Sequence, residues 1–290
     1  MRRTLARQRH HAKINMMFDK PPLVELIAEL RWGAPAMVIP IGGPGGTAGT
    51  ASPSMSVSST RQEELFMRFG AKVANESYSR FERIVPPGFP LFPFQPVYRY
   101  RKSEPEVGAG VFQLGPGLFT ANITPPYQSW DDFRPIVNKG VTLLLDCRDD
   151  AEKNEPFGRV SLRYIDAFGA DFTGGQSAID FLSEKLGFNI GLPKVIKKHT
   201  DQASPIRPTL QFMIPLSNDL VMNLAVAEGA ISGQAAIIMD MMVSTNIPVA
   251  ADVIAVMNGF DKAHGIIREI FVEMTQPIAH LMQPTDGGTS

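Results

Sequence analysis

His264 is the side chain best suited by type to acid–base work. In FDKAHGIIREIF, residues 260–271, Asp261 and Arg268 lie about one helical turn away on either side, so a carboxylate and a guanidinium share its face. The same spacing also fits a histidine packed against strands with one ring nitrogen bonded. A second candidate is Asp166 in GRVSLRYIDAF, residues 158–168, where Val160, Leu162, Tyr164 and Phe168 share one parity of a pleated strand. On that parity Asp166 points a carboxylate inward, which is costly unless a donor meets it. It reads either as a site residue or as a hydrogen-bonded carboxylate at the end of a sheet. Arg163, the third candidate, falls on the opposite parity of the same strand.

Other chemistries have less to build on. Asp131 and Asp132 are adjacent and diverge by about 100° on a helix, so they do not converge on one atom, and capping accounts for them. Cys147 is the single cysteine and reads as a small buried apolar residue. His199 sits in a basic connector, and His280 is too far along from His264 to share a metal. H-E-x-x-H, G-x-S-x-G and Cys/His clusters are absent, so neither a metal site nor a cofactor site is expected. GGPGGTAG, residues 42–49, matches a dinucleotide fingerprint nominally, but it runs on into GTASPSMSVSS, which cannot open the helix that a pyrophosphate requires.

Composition narrows the field further. The chain has 290 residues, 44% apolar and 20% charged, which are ordinary globular values, and a formal net charge of -1 gives no overall pull toward nucleic acid or acidic membrane. No apolar run reaches the roughly 20 residues of a membrane helix, and a cytoplasmic location is the default expectation. Nucleic acid remains conceivable only through the basic N-terminal arm, which carries Arg2, Arg3, Arg7, Arg9 and Lys13.

The elements that must hold the candidates repeat a plan. LVELIAELRW (23–32) alternates as a strand, 60–78 has helical spacing behind a Ser59 or Thr60 cap with Glu63 placed for a capping box, and VYRYRK, VFQLG and LFTANI give three strands. The proline-dense IVPPGFPLFPFQP (84–96) interrupts them; its Phe89, Phe92 and Phe94 either serve a partner or cap the core. A helix follows from Trp130, capped by Ser129, with Pro135 placed in its opening turn. GRVSLRYIDAF then starts a second round: strand, short helix SAIDFLSEKLG, strands TLQFMIPL, DLVMNLAVAEG and AAIIMDMMVST, and one or two closing helices. The expected fold is α+β, two pseudo-repeated modules of antiparallel sheet backed by helices, with Trp130–Phe133 standing where the second module has Phe260–Lys262. The expected divisions are a basic flexible arm at 1–17, a first module at 18–155 with a Gly/Ser/Pro-rich loop at 41–59, a second module at 156–283, and a flexible tail at 284–290.

PPLVELIAELRW, FTANITPPYQSWDDF, GRVSLRYIDAF, IIMDM and FDKAHGIIREIFVEMTQPI, in that order, resemble the landmarks of a sporadically distributed family of uncharacterised bacterial proteins. LRYID and the AHxxIxxxF pattern at His264, Ile267 and Phe271 are the sharpest of them. The resemblance implies no reaction, cofactor or catalytic residue; it implies an accessory role, in defence or toxin–antitoxin neighbourhoods. The leading expectation is therefore a protein-binding or regulatory module, antitoxin-like or chaperone-like, with a protein partner or self-association and no membrane. Met213, Met222, Met239, Met241, Met242 and Met257 either offer adaptable surface to that partner or fill core gaps. The alternative is an enzyme acting on a small or nucleotide-like ligand, with His264, Asp166 and Arg163 lining a pocket between the modules.

Overall fold

A computed structural model describes residues 17–33, 59–104, 108–126, 129–201 and 204–285. The basic arm before Met17, the Gly/Ser/Pro-rich stretch before Ser59 and the last five residues lie outside the described residues.

In chain order the elements are β1 (Met17–Phe18), β2 (Leu23–Arg31), α1 (Ser59–Ala74), β3 (Arg80–Arg83), β4 (Tyr98–Arg101), β5 (Val111–Gly115), β6 (Leu118–Ile123) and α2 (Trp130–Cys147). They continue as β7 (Arg159–Phe168), α3 (Ala170–Thr173), α4 (Ala178–Glu184), α5 (Lys194–Lys197), β8 (Thr209–Leu216), β9 (Leu220–Ile231), β10 (Gln234–Thr245), α6 (Val253–Met274), a 3-10 turn (Gln276–Met282) and β11 (Pro284–Thr285). The class is α+β, as expected. Instead of two separate sheets, however, there is one nine-stranded antiparallel sheet in the order β3-β4-β5-β6-β2-β7-β10-β9-β8. The halves join where β2 lies against β7, with Ala28 opposite Leu162 and Leu30 opposite Val160. From that seam outward each half runs first strand, last strand of its meander, then the middle and first strands of the meander, and the first half alone adds a fifth strand, β3, beyond them.

Strand alternation sends Leu26, Ala28 and Leu30 of β2, Val160 and Leu162 of β7, and Met239, Met241 and Val243 of β10 to one face, all buried beneath α1, α2 and α6. These residues, with Leu224 of β9, belong to a single core. The other face carries half-buried polar side chains: Glu25, Glu29 and Arg31 of β2, Arg163 of β7 and Asp240 of β10.

The helices start where local chemistry allows. Ser129 caps α2, accepting from the Asp132 amide while Asp132 Oδ2 accepts from the Ser129 amide, a closed capping box. Pro135 sits one turn deeper than the opening turn expected for it, so α2 continues past a residue that cannot supply the usual amide donor. Asp252 caps α6 through the Ala255 amide. Glu63 of α1 receives Arg83 at 2.6 Å and the Tyr98 hydroxyl at 3.2 Å, tying α1 to β3 and β4, while the cap expected at Ser59 or Thr60 lies outside the described side chains.

Two further differences from the sequence expectation have simple causes. Pro284 and Thr285, placed by sequence in a flexible tail, pair with Met17–Phe18, so the described ends of the chain lie side by side. Trp130 is the first residue of α2, whereas Phe260 lies about two turns into α6, so aligning the two helices by their caps does not superpose Trp130–Phe133 on Phe260–Lys262.

Candidate functional site

The three candidate residues occupy two different faces of β7. Tyr164 and Asp166 point to the helix side, beneath α6; Arg163 points to the other. Arg163 forks onto Asp240 of β10, one limb at 2.8 Å from Nε to Oδ1 and the second from Nη2 to Oδ2. His264, on α6, meets Tyr164 across the same interface, Oη to Nδ1 at 2.7 Å. The structure therefore brings His264 to β7, keeps Asp166 on the same face of that strand, and separates Arg163 from both by the thickness of the sheet.

The His264 ring is held on its faces as well as at its edge. Trp130 of α2 stacks on it at 5.3 Å with the planes 15° apart, and Tyr164 lies at 6.1 Å. The Trp130 indole donates to Asp261 Oδ1 at 2.9 Å, and Arg134 binds both oxygens of the same carboxylate at 2.8 and 2.9 Å. The Arg134 guanidinium and then the indole hold Asp261 below the usual carboxylate range despite its partial burial. Asp261, expected beside His264 as an acid–base partner, instead locks α6 to α2.

Burial, seconded by the charge of Arg268, pushes the His264 imidazole down to about 4, so it is neutral at pH 7. Burial also raises the Tyr164 phenol, which keeps its proton. Between two neutral groups a phenol is the stronger donor and an imidazole nitrogen the stronger acceptor, so Tyr164 donates to Nδ1 and the imidazole proton sits on Nε2. Nδ1, the nitrogen a general base would use, is occupied by a donor that does not ionise near neutrality.

Asp166 is 2% exposed and its Oδ2 has no hydrogen-bond partner among the described residues. Burial, with a smaller push from the charge of Asp240, raises its carboxyl to about 8. It is thus a protonated acid sealed beneath helices at neutral pH, not a carboxylate presented to a substrate. Neither sequence reading anticipated an inward carboxyl that stays neutral in place of finding a donor.

Elsewhere, Arg148 is buried against the rings of Trp32 and Phe157 at 5.7 and 5.0 Å and donates to the Glu155 carbonyl at 2.8 Å. Cys147 is buried, and burial raises its thiol, as expected of a packing residue. Among the described residues no cluster of histidine, cysteine or carboxylate side chains could hold a metal, and no helix is long and apolar enough to cross a membrane.

The surface places apolar groups at an edge of the sheet. In β8, TLQFMIPL, Phe212 is 41%, Met213 67% and Ile214 36% exposed, although the strand is fully paired with β9 on its inner side. Among the described residues no strand pairs with its outer side. Of the methionines singled out by sequence, Met222, Met239, Met241 and Met257 fill the core, Met242 is half-buried on the polar face, and Met213 alone is exposed. In the proline-rich strap, Phe89 and Phe92 are exposed while Phe94 lies under the Arg31 guanidinium at 5.0 Å. Sequence reading found β8 as a strand but missed its exposure. The available signal was that apolar residues occupy both parities, Phe212 and Ile214 on one and Met213 and Pro215 on the other, with no charge among them.

No family model, curated protein or solved structure matches the chain.

Proposed function

We propose that this chain is a protein-binding or regulatory module that engages its partner through the outer edge of β8. The accessory, antitoxin-like or chaperone-like role implied by the family resemblance is part of that proposal, as are a cytoplasmic setting and an origin of the two halves by duplication. The mirrored strand order about the β2–β7 seam supports the duplication. The observation that carries the binding role is an eight-residue uncharged strand whose outer backbone groups and three large apolar side chains are left open at the end of an otherwise well-packed sheet, with Pro215 near its end the one residue that supplies no N–H. Unpaired edges of that kind are templates for strand addition, and natural sheets usually blunt them with charge or cover.

An enzymatic role through His264, Asp166 and Arg163 draws less support from the geometry. His264 is acceptor-blocked, Asp166 is sealed and protonated, and Arg163 is clamped by Asp240 on the opposite face.

Site-specific photo-crosslinking in the native host tests the proposal. Phe212→benzoylphenylalanine is expected to give a discrete covalent adduct, while the same replacement at Phe81, an exposed residue of the opposite edge strand β3, gives none. Absence of any discrete adduct from position 212 overturns the proposal.

A further inference from the structure

Resting on that reading of the β8 edge, we infer that its occupant is a second copy of this chain, added antiparallel so that β8 pairs with β8 about a two-fold axis through Met213. Three features of the strand select a copy of itself.

The first is charge. Thr209–Leu216 contains no ionisable side chain, so two copies meet without placing like charges opposite one another. The opposite edge, β3, reads RFER, three of its four residues charged, so pairing β8 with it would set apolar side chains against charge.

The second is symmetry. A β8-to-β3 contact is head-to-tail and builds rings or open filaments, whereas β8-to-β8 is self-complementary and stops at two.

The third is register. Side chains directly opposite in an antiparallel pair share a face, so a two-fold axis normal to the sheet must pass through a residue. On β8 the even-numbered residues face the helix side, since Phe212 and Ile214 lie opposite the buried Leu224 and Met222 of β9. Centring on Met213 sets Phe212 against Ile214 and Leu210 against Leu216, each twice, an apolar row continuing the core face across the junction. On the other face Met213 meets its own copy and Gln211 stands opposite Pro215, twice, where the missing proline N–H removes one ladder bond from each pair. Centring on Phe212 leaves Leu216 unmatched and sets Gln211 against Met213. The Met213 register uses all four apolar residues of the helix side and self-pairs the most exposed apolar side chain of the strand. The result is a continuous eighteen-stranded sheet. Two strands of this length bury less than the roughly 1,200–2,000 Å² of a standard interface, so a dissociation constant on the order of micromolar is expected.

The test is sedimentation or light scattering across a dilution series of the full chain, using charges at the axis. Wild type is expected to pass from monomer to dimer with concentration. Met213→Lys and Met213→Glu, at a side chain 67% exposed, are expected to leave the melting temperature within a few degrees and weaken dimerisation at least tenfold each. A one-to-one mixture of the two variants is expected to recover the dimer, because lysine then faces glutamate. Phe89→Ser with Phe92→Ser, in the exposed strap of the first half, should leave the dimer intact. A wild type that stays monomeric at 100-fold above micromolar, a dimer indifferent to both Met213 variants, or no recovery in the mixture each overturns the inference. If the chain is monomeric while position 212 crosslinks to a species other than a second copy, the self-pairing fails and the binding role stands. If it is monomeric and position 212 crosslinks to nothing, both fail.

Discussion

The two halves of the sheet share a strand order and differ in what fills and covers them. In the first half the core is a set of interlocked rings: Phe69 stands edge-on to Tyr100, Phe112 and Phe119 at 5.2 to 6.0 Å, and Tyr78 leans on Phe112 at 4.7 Å. Two long helices cover it, and its edge strand β3 is four residues long with three charges. In the second half the equivalent strands bury Leu224, Val226 and Val243 together with Met222, Met239 and Met241, whose unbranched thioethers repack easily. One long helix, α6, covers the inner strands, while α3, α4 and α5 are short and leave β8 open. The first half is closed and packed with interlocked rings; the second ends in an exposed, uncharged strand.

Breaking the aromatic core should have the largest effect. Phe69 is fully buried, and Phe69→Ala is expected to cost about 3–5 kcal/mol because three rings lose their common partner. Met241→Leu at an equally buried position of β10 should cost less than about 1.5 kcal/mol. Urea denaturation of both variants measures the contrast; equal losses would remove the distinction between a rigid half and an adaptable one.

Asp166 is a buried carboxyl of the second half whose Oδ2 has no hydrogen-bond partner among the described residues. Its carboxyl rises from 3.8 unfolded to about 8 folded, so its protonated form is the one the fold favours. The associated stability is fully present below pH 3.8 and is lost as pH rises toward 8. Asp166→Asn stays neutral throughout, so relative to wild type it should gain about 2–4 kcal/mol between pH 4 and pH 8. His264 contributes in the opposite sense, stabilising above pH 6.5 and less as pH falls to about 4, but it is common to both proteins and cancels. Paired denaturation curves at pH 4, 6 and 8 give the comparison, and a constant gap would mean that Asp166 is already ionised in the fold.

Much of this arrangement can be read from the residues themselves, and the unread part has a common cause. Alternation in LVELIAELRW, LRYIDAF, DLVMNLAVAE and AAIIMDMMVST identifies β2, β7, β9 and β10 because each has one face in the core. β3 escapes detection because RFER offers one apolar residue, Phe81, and that one is exposed; its strand form comes from pairing with β4. The union of both halves in one sheet depends on β2 meeting β7 across more than a hundred residues of sequence, which no local pattern encodes. His264 and Asp166 are visible as candidates by type. Their shifted protonation comes from burial under helices contributed by both halves, and the Trp130 and Arg134 contacts to Asp261 are likewise visible only once α2 lies beside α6. Exposure fails in the same way: TLQFMIPL is identical in pattern whether its outer edge is covered or bare.

Paired glycines sharpen the comparison at smaller scale. Gly140 of α2 and Gly259 of α6 both face the sheet. A methyl at Gly140 would come to 2.6 Å from Phe112 and 2.7 Å from Phe119, rings that are fully buried and cannot step aside. A methyl at Gly259 meets Val160 at 3.2 Å. Gly140→Ala is expected to destabilise by about 1–3 kcal/mol through overpacking. Gly259→Ala should be within about 0.5 kcal/mol of wild type, its helix-propensity gain of about 1 kcal/mol offsetting the tighter contact. Thermal melts of the two variants are enough to decide, and a reversed order would place the looser packing in the first half.

An effect smaller than the Gly140 overpacking is expected where Trp130 from one half and Tyr164 from the other enclose His264. Tyr164→Phe keeps the ring and removes the hydroxyl that donates to Nδ1, leaving a half-buried acceptor unpaired at a cost of about 1 kcal/mol. Burial and Arg268 still hold the imidazole down, but the donor that favoured its neutral form is gone, so its pKa should rise part of the way toward 6.5. A depressed histidine loses stability as pH falls through its folded pKa, and raising that pKa shrinks the loss. The variant should therefore be less stable than wild type at pH 7 by about 1 kcal/mol and closer to it at pH 4. Histidine titration by NMR adds a readout that packing alone would not move: in wild type the Nε2-protonated tautomer persists down to about pH 4, and in Tyr164→Phe the transition should shift upward. An unshifted titration would mean that the hydroxyl is a passive neighbour and that burial alone keeps the ring neutral.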